Sequence, residues 1–139
     1  MIWTTGIVLI VDREDEVLET LRTALQYTDY VVVQAKTGDE ALAVLSRFKS
    51  HIDLTIIDLE LPNGDGLVIS LLAILGHRNT AKIIVKTSRQ DEPFLEQVSY
   101  LGADAIVFKP ISEDQLIKTV QATLAGCRTG SAEASVGGA

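Results

Sequence analysis

Leu54-Thr55-Ile56-Ile57-Asp58-Leu59-Glu60-Leu61-Pro62-Asn63-Gly64-Asp65-Gly66 is the stretch that decides the architecture of this chain. It opens on an apolar run that reads as a buried strand, and Asp58 ends the run. Pro62 and the segment Asn63-Gly64-Asp65-Gly66 then read as a turn. Working outward, three other strand-like runs also end in polar groups. Residues 7–11 run into Asp12, residues 83–86 into Thr87 and Ser88, and residues 105–108 into Lys109-Pro110. A parallel sheet gathers its strand ends at one edge, where open α/β sheets place ligands. Two carboxylates, a hydroxyl and an amine at that edge suit moving or holding a phosphoryl group on an aspartate.

The rest of the chain alternates strand and helix. Ile7-Val8-Leu9-Ile10-Val11 is aliphatic throughout, the mark of a strand covered on both faces. Val17, Leu18, Leu21, Ala24 and Leu25 follow at helical spacing. Residues 30–35 read as a second strand. Thr37 and Glu40 form a capping box for a helix whose apolar face carries Ala41, Leu42, Leu45 and Phe48. A strand at 53–58, a helix at 67–75 ending near Gly76, a strand at 81–86 and a helix at 91–101 closed by Gly102 follow. A short strand at 105–108 leads to a last helix capped by Ser112, with Leu116, Ile117, Val120 and Leu124 on its apolar face. Five strand-helix repeats predict a parallel sheet with helices on both faces.

Composition narrows the function classes. A chain of 139 residues is expected to form one domain, with a core that needs no disulfide staple. No apolar run is long enough to span a membrane. The net charge of −7 argues against a nucleic-acid-binding surface in this segment. The lone Cys127 excludes an internal disulfide, and the first residues lack a secretory pattern, so a cytoplasmic protein is expected. Residues 1–6 read as an N-terminal extension, 7–126 as the domain, and 127–139, rich in Gly, Ser and Ala, as a flexible tail or linker. Trp3 is expected to cover a sheet end. His51 and His77 fall in loops outside any metal-ligand spacing.

Four motifs resemble the receiver domain of two-component response regulators. They are Val8-Leu9-Ile10-Val11-Asp12, then Ile57-Asp58-Leu59-Glu60-Leu61-Pro62 with Asp65-Gly66, then Lys86-Thr87-Ser88, and Gly102-Ala103-Asp104 leading to Lys109-Pro110. Each alone is weak, but four in this order, each after a strand, are highly specific. The resemblance covers nearly the whole chain. It implies a flavodoxin-like (βα)5 doubly wound fold with strand order 2-1-3-4-5. It also implies that Asp58 accepts a phosphoryl group from a histidine kinase or phosphotransfer protein, with Thr87 and Lys109 on the phosphoryl oxygens. Mg²⁺ is the implied cofactor, held by Asp12, Asp58 and the backbone carbonyl of Glu60. The Lys109–Pro110 peptide is implied to be cis. Dimerisation through the last two helices and the fifth strand is common in such domains.

Three positions depart from the family pattern. Receivers carry two adjacent acids after the first strand, and here the second is Arg13, so weakened Mg²⁺ binding is expected. Arg13 could pair with Asp58, since its fork suits carboxylates, or turn outward. Ile106 replaces the aromatic that usually lies before the lysine, and Phe108 on the same strand face is a candidate substitute. Glu60 and Arg89 flank the site mouth, where their pairing would slow loss of phosphate.

Two other readings stand beside the phosphoacceptor. A degenerate receiver would bind partners whatever its phosphorylation state. A haloacid dehalogenase-type phosphatase would also use an aspartate, a hydroxyl and a lysine, but on its first strand. Taken singly, Asp12 reads equally as a helix cap and Lys109 as a surface amine.

Overall fold

A strand with no polar face must be covered on both sides, and that requirement sets the layers here. A computed structural model describes residues 6–61, 65–76 and 81–129. The strands are β1 (Ile7–Val11), β2 (Val31–Ala35), β3 (Ile52–Asp58), β4 (Lys82–Thr87) and β5 (Ala105–Phe108). They form one parallel sheet in the order β2-β1-β3-β4-β5, as the resemblance implied. The helices are α1 (Asp15–Ala24), α2 (Gly38–Phe48), α3 (Asp65–Gly76), α4 (Glu92–Tyr100) and α5 (Glu113–Thr129), with a 3-10 turn at Lys49–His51.

Side chains alternate across each strand, so the sheet has two cores. Val8, Ile10, Leu54, Ile56, Ile84 and Val107 face α1 and α5, where they meet Val17, Leu21, Leu116 and Val120. Leu9, Val11, Ile57, Ile83 and Val85 face α2, α3 and α4, where they meet Ala41, Leu45, Leu71, Leu72 and Val98. The strand order reverses between β1 and β3, which opens the crevice at their C-terminal ends.

The caps hold where the sequence placed them, with one change. The Thr37 hydroxyl accepts the Glu40 N–H at 3.1 Å, but the Glu40 carboxylate reaches back to the N–H of Lys36. The Ser112 hydroxyl accepts the Gln115 N–H at 3.1 Å. Gly102 takes φ +124° after α4 and lies against Gly76, where a Cβ would come within 2.9 Å of the Gly76 Cα. The helix α5 runs on to Thr129, into the segment from residue 127 that the sequence reads as a tail. The expectations for Trp3, His77, the turn at 62–64 and residues 130–139 lie outside the described residues.

Candidate functional site

The strand ends do meet. In register, Val11 lies beside Ile57 and Asp58 beside Lys86, so the Asp12, Asp58 and Lys86 positions fall at one level of the sheet edge. All three continue the face that carries Ile10, Ile56 and Ile84. Asp58 is buried, and its Oδ1 accepts from the Lys109 ammonium at 2.7 Å and from the Glu60 N–H at 2.9 Å. Among the described residues nothing donates to Oδ2. The Lys109–Pro110 peptide is cis.

Glu60 contributes more than a backbone carbonyl. Its carboxylate accepts the Thr87 hydroxyl at 2.6 Å, the Ser88 N–H at 3.0 Å, the Ser88 hydroxyl at 3.2 Å, and pairs with Lys109 at 3.0 Å. Partial burial pushes its pKa up, but the hydrogen bonds from Thr87, Lys109 and Ser88 and the Lys109 charge outweigh that and hold it below the usual range. Lys109 shows the converse. Burial pulls its pKa down, and the bonds and charges of Asp58 and Glu60 carry it above its ordinary value. Four donor groups from three residues at the ends of two strands therefore converge on one oxyanion beside Asp58.

Arg13 is exposed and makes no ion pair among the described residues, so it turns outward rather than toward Asp58. Both members of the expected Glu60–Arg89 pair have other partners. Arg89 holds Asp91 through two hydrogen bonds of 2.9 and 3.0 Å and lies 3.7 Å over the Phe94 ring. Its bonds to Asp91 keep that carboxyl below the usual range. Ile106 packs half-buried on the α4 side, and Phe108 is exposed.

The residue that sequence reasoning missed is Lys86. Its ammonium is buried and sits 2.7 Å from Oδ2 of Asp12, which is itself wholly buried. The other oxygen of Asp12 accepts the Glu14 N–H at 2.8 Å. A buried ion pair of this kind is costly to break, about 3–5 kcal/mol when one partner is removed. The pairing becomes visible only in the assembled sheet, where Asp12 just past β1 and Lys86 near the end of β4 lie on the same face. Two of the expected Mg²⁺ ligands already have partners. One oxygen of Asp12 accepts from Lys86 and the other from Glu14, and Asp58 Oδ1 accepts from Lys109 and Glu60. Among the described residues no three His, Cys, Asp or Glu side chains group to hold a metal ion. Asp15, two residues past Arg13, pairs with Lys36 at 3.1 Å.

Comparison with known proteins accounts for this layout. The family model described as the response regulator receiver domain matches residues 8–121. Transcriptional regulatory protein ResD of Bacillus subtilis is 30% identical over 117 residues, 84% of this chain and 47% of its own length. Transcriptional regulatory protein KdpE of Mycobacterium tuberculosis is 34% identical over 118 residues, 85% of this chain and 50% of its own. The chain spans about half the length of these relatives. A CheY-like response regulator receiver domain protein from Methanospirillum hungatei superposes with a TM-score of 0.75 at 25% identity, over 91% of this chain and 98% of that one. Strand order, the acid-hydroxyl-amine edge and a family match running from β1 into α5 agree, and this chain belongs to the response regulator receiver domains.

Proposed function

We propose that this receiver accepts a phosphoryl group on Asp58 from a partner histidine kinase or phosphotransfer protein. The observation that carries the reading is the oxyanion pocket beside Asp58. Thr87, Ser88 and Lys109 already converge on the Glu60 carboxylate, which stands where phosphoryl oxygens would be held. In the transfer an Asp58 oxygen attacks phosphorus, the P–N bond of the phosphohistidine breaks, and the imidazole nitrogen leaves with the electron pair. These three residues stabilise charge on the phosphoryl oxygens as Glu60 swings out.

The consequence is a shift between two conformations of the face made by α4, β5 and α5. Phe108 and Tyr100 are exposed on that face, and Phe108 stands in for the aromatic that Ile106 replaces. Residues 7–126 form the signalling unit, and 1–6 and 127–139 flank it. The face suits a kinase, an output partner or a second copy, in the cytoplasm. Among the described residues no helix is long and apolar enough to cross a membrane.

A second reading, phosphate-independent partner binding, is favoured by one observation: Glu60 and Lys86 already satisfy the pocket without phosphate. The phosphatase reading has no such support. Borohydride reduction after phosphodonor treatment, followed by peptide mapping, separates the first two. Reduction at Asp58 supports the phosphoacceptor. A folded protein that never becomes reducible there supports the interaction module.

A further inference from the structure

The acidic pocket of receiver domains generally takes Mg²⁺, yet here Asp12, one of the implied ligands, holds a lysine of the same chain. We propose that the Lys86 ammonium is a built-in replacement for the divalent cation, so that this site carries its cation permanently and binds Mg²⁺ neither for folding nor for phosphoryl acceptance. The inference rests on the receiver reading only for locating the site.

Lys86 projects from β4 past β3 to reach Asp12 at the end of β1. Its side chain is 5% exposed and that of Asp12 is 0% exposed. A fixed ammonium at 2.7 Å neutralises Asp12, the task a divalent ion would otherwise perform. A metal would have to displace it, since Mg²⁺ demands near-octahedral oxygen ligands and Lys86 offers none. Lys86 stands two residues after Ile84, on the sheet face toward α1 and α5, and with Lys109 and Leu116 it lines the cleft beside Pro110. Lys109 and Lys86 then give the pocket two ammonium groups against the carboxylates of Asp12, Asp58 and Glu60. Arg13 plays no direct part, because it points outward.

The test is an amide NMR titration of the full chain with MgCl₂ alone, followed at Asp12, Asp58 and Glu60. It reads metal binding whether or not Asp58 is phosphorylated, so it fails separately from the receiver reading. Wild type is expected to show no saturable shift. Arg13→Asp, which restores the second acid but keeps Lys86, is expected to stay silent too. Arg13→Asp with Lys86→Met is expected to gain saturable binding that Arg13→Asp alone lacks. Asp12→Asn with Lys86→Met leaves no unpaired charge and serves as the folded control, expected to bind no Mg²⁺. Saturable shifts in wild type, or a gain from Arg13→Asp equal to that of the double variant, would overturn the inference. So would a folded double variant that remains silent.

Discussion

Replacing Glu60 by alanine should speed phosphorylation of Asp58 while weakening the fold. The carboxylate occupies Thr87, Ser88 and Lys109, the donors a phosphoryl group needs. Hydrogen bonds to a charged group net about 1.5–3 kcal/mol each when sheltered. The Glu60 side chain is 31% exposed, so screening and rehydration on release cut that sharply. The bonds also form and break together, so they do not add. A net competition of about 1–2 kcal/mol remains, a factor of about 5–30 in the share of sites free to hold phosphate. The stability effect has the opposite sign. Thr87 is wholly buried, and its hydroxyl would lose its acceptor, at a cost of about 1–2 kcal/mol. Phosphorylation followed by intact mass at limiting phosphodonor gives the first quantity, and urea unfolding the second. A folded Glu60→Ala protein phosphorylated no faster than wild type would refute the competition.

The other predictions follow from single contacts. The folded-state pKa of Glu60 lies below its ordinary value of 4.5, so the stability it contributes is present above that pH and is lost as pH falls through the depressed value. Urea titrations on both sides of pH 4.5 should show wild type and Glu60→Ala converging in acid. Thr55 is wholly buried and its hydroxyl has no hydrogen-bond partner among the described residues, so Thr55→Val should raise the urea midpoint by the equivalent of about 1 kcal/mol. Gly102→Ala forces φ +124° on a residue with a Cβ and brings that atom within 2.9 Å of Gly76, so it should lower stability by about 1–3 kcal/mol in the same assay.

The sheet was legible because its strands are aliphatic runs with polar ends. That pattern survives a drift of a residue or two at each boundary, as at β3, read from residue 53 and found from Ile52. Asp58, Thr87 and Lys109 were legible for the same reason, since the position just past a strand fixes which edge a side chain reaches. Lys86 was not. Its partner lies 74 residues upstream and two strands away, and only the assembled register shows that one ammonium spans the gap. Read locally, a lysine at a strand end looks like a snorkelling surface group. The Glu60 side chain escaped in the same way. Its place two residues past Asp58 suggested a carbonyl ligand and an arginine partner, but Thr87, Ser88 and Lys109 come together only after β4 and β5 are in place. Arg13 was legible as a departure, while its outward direction depended on the start of α1.

The most direct measurement is intact mass after incubation with a small-molecule phosphodonor, in Mg²⁺ and in chelator, on wild type and Asp58→Asn. The account predicts a gain of one phosphoryl group by wild type in both conditions and none by Asp58→Asn. An equal gain by Asp58→Asn, or no gain by folded wild type in either condition, would contradict it.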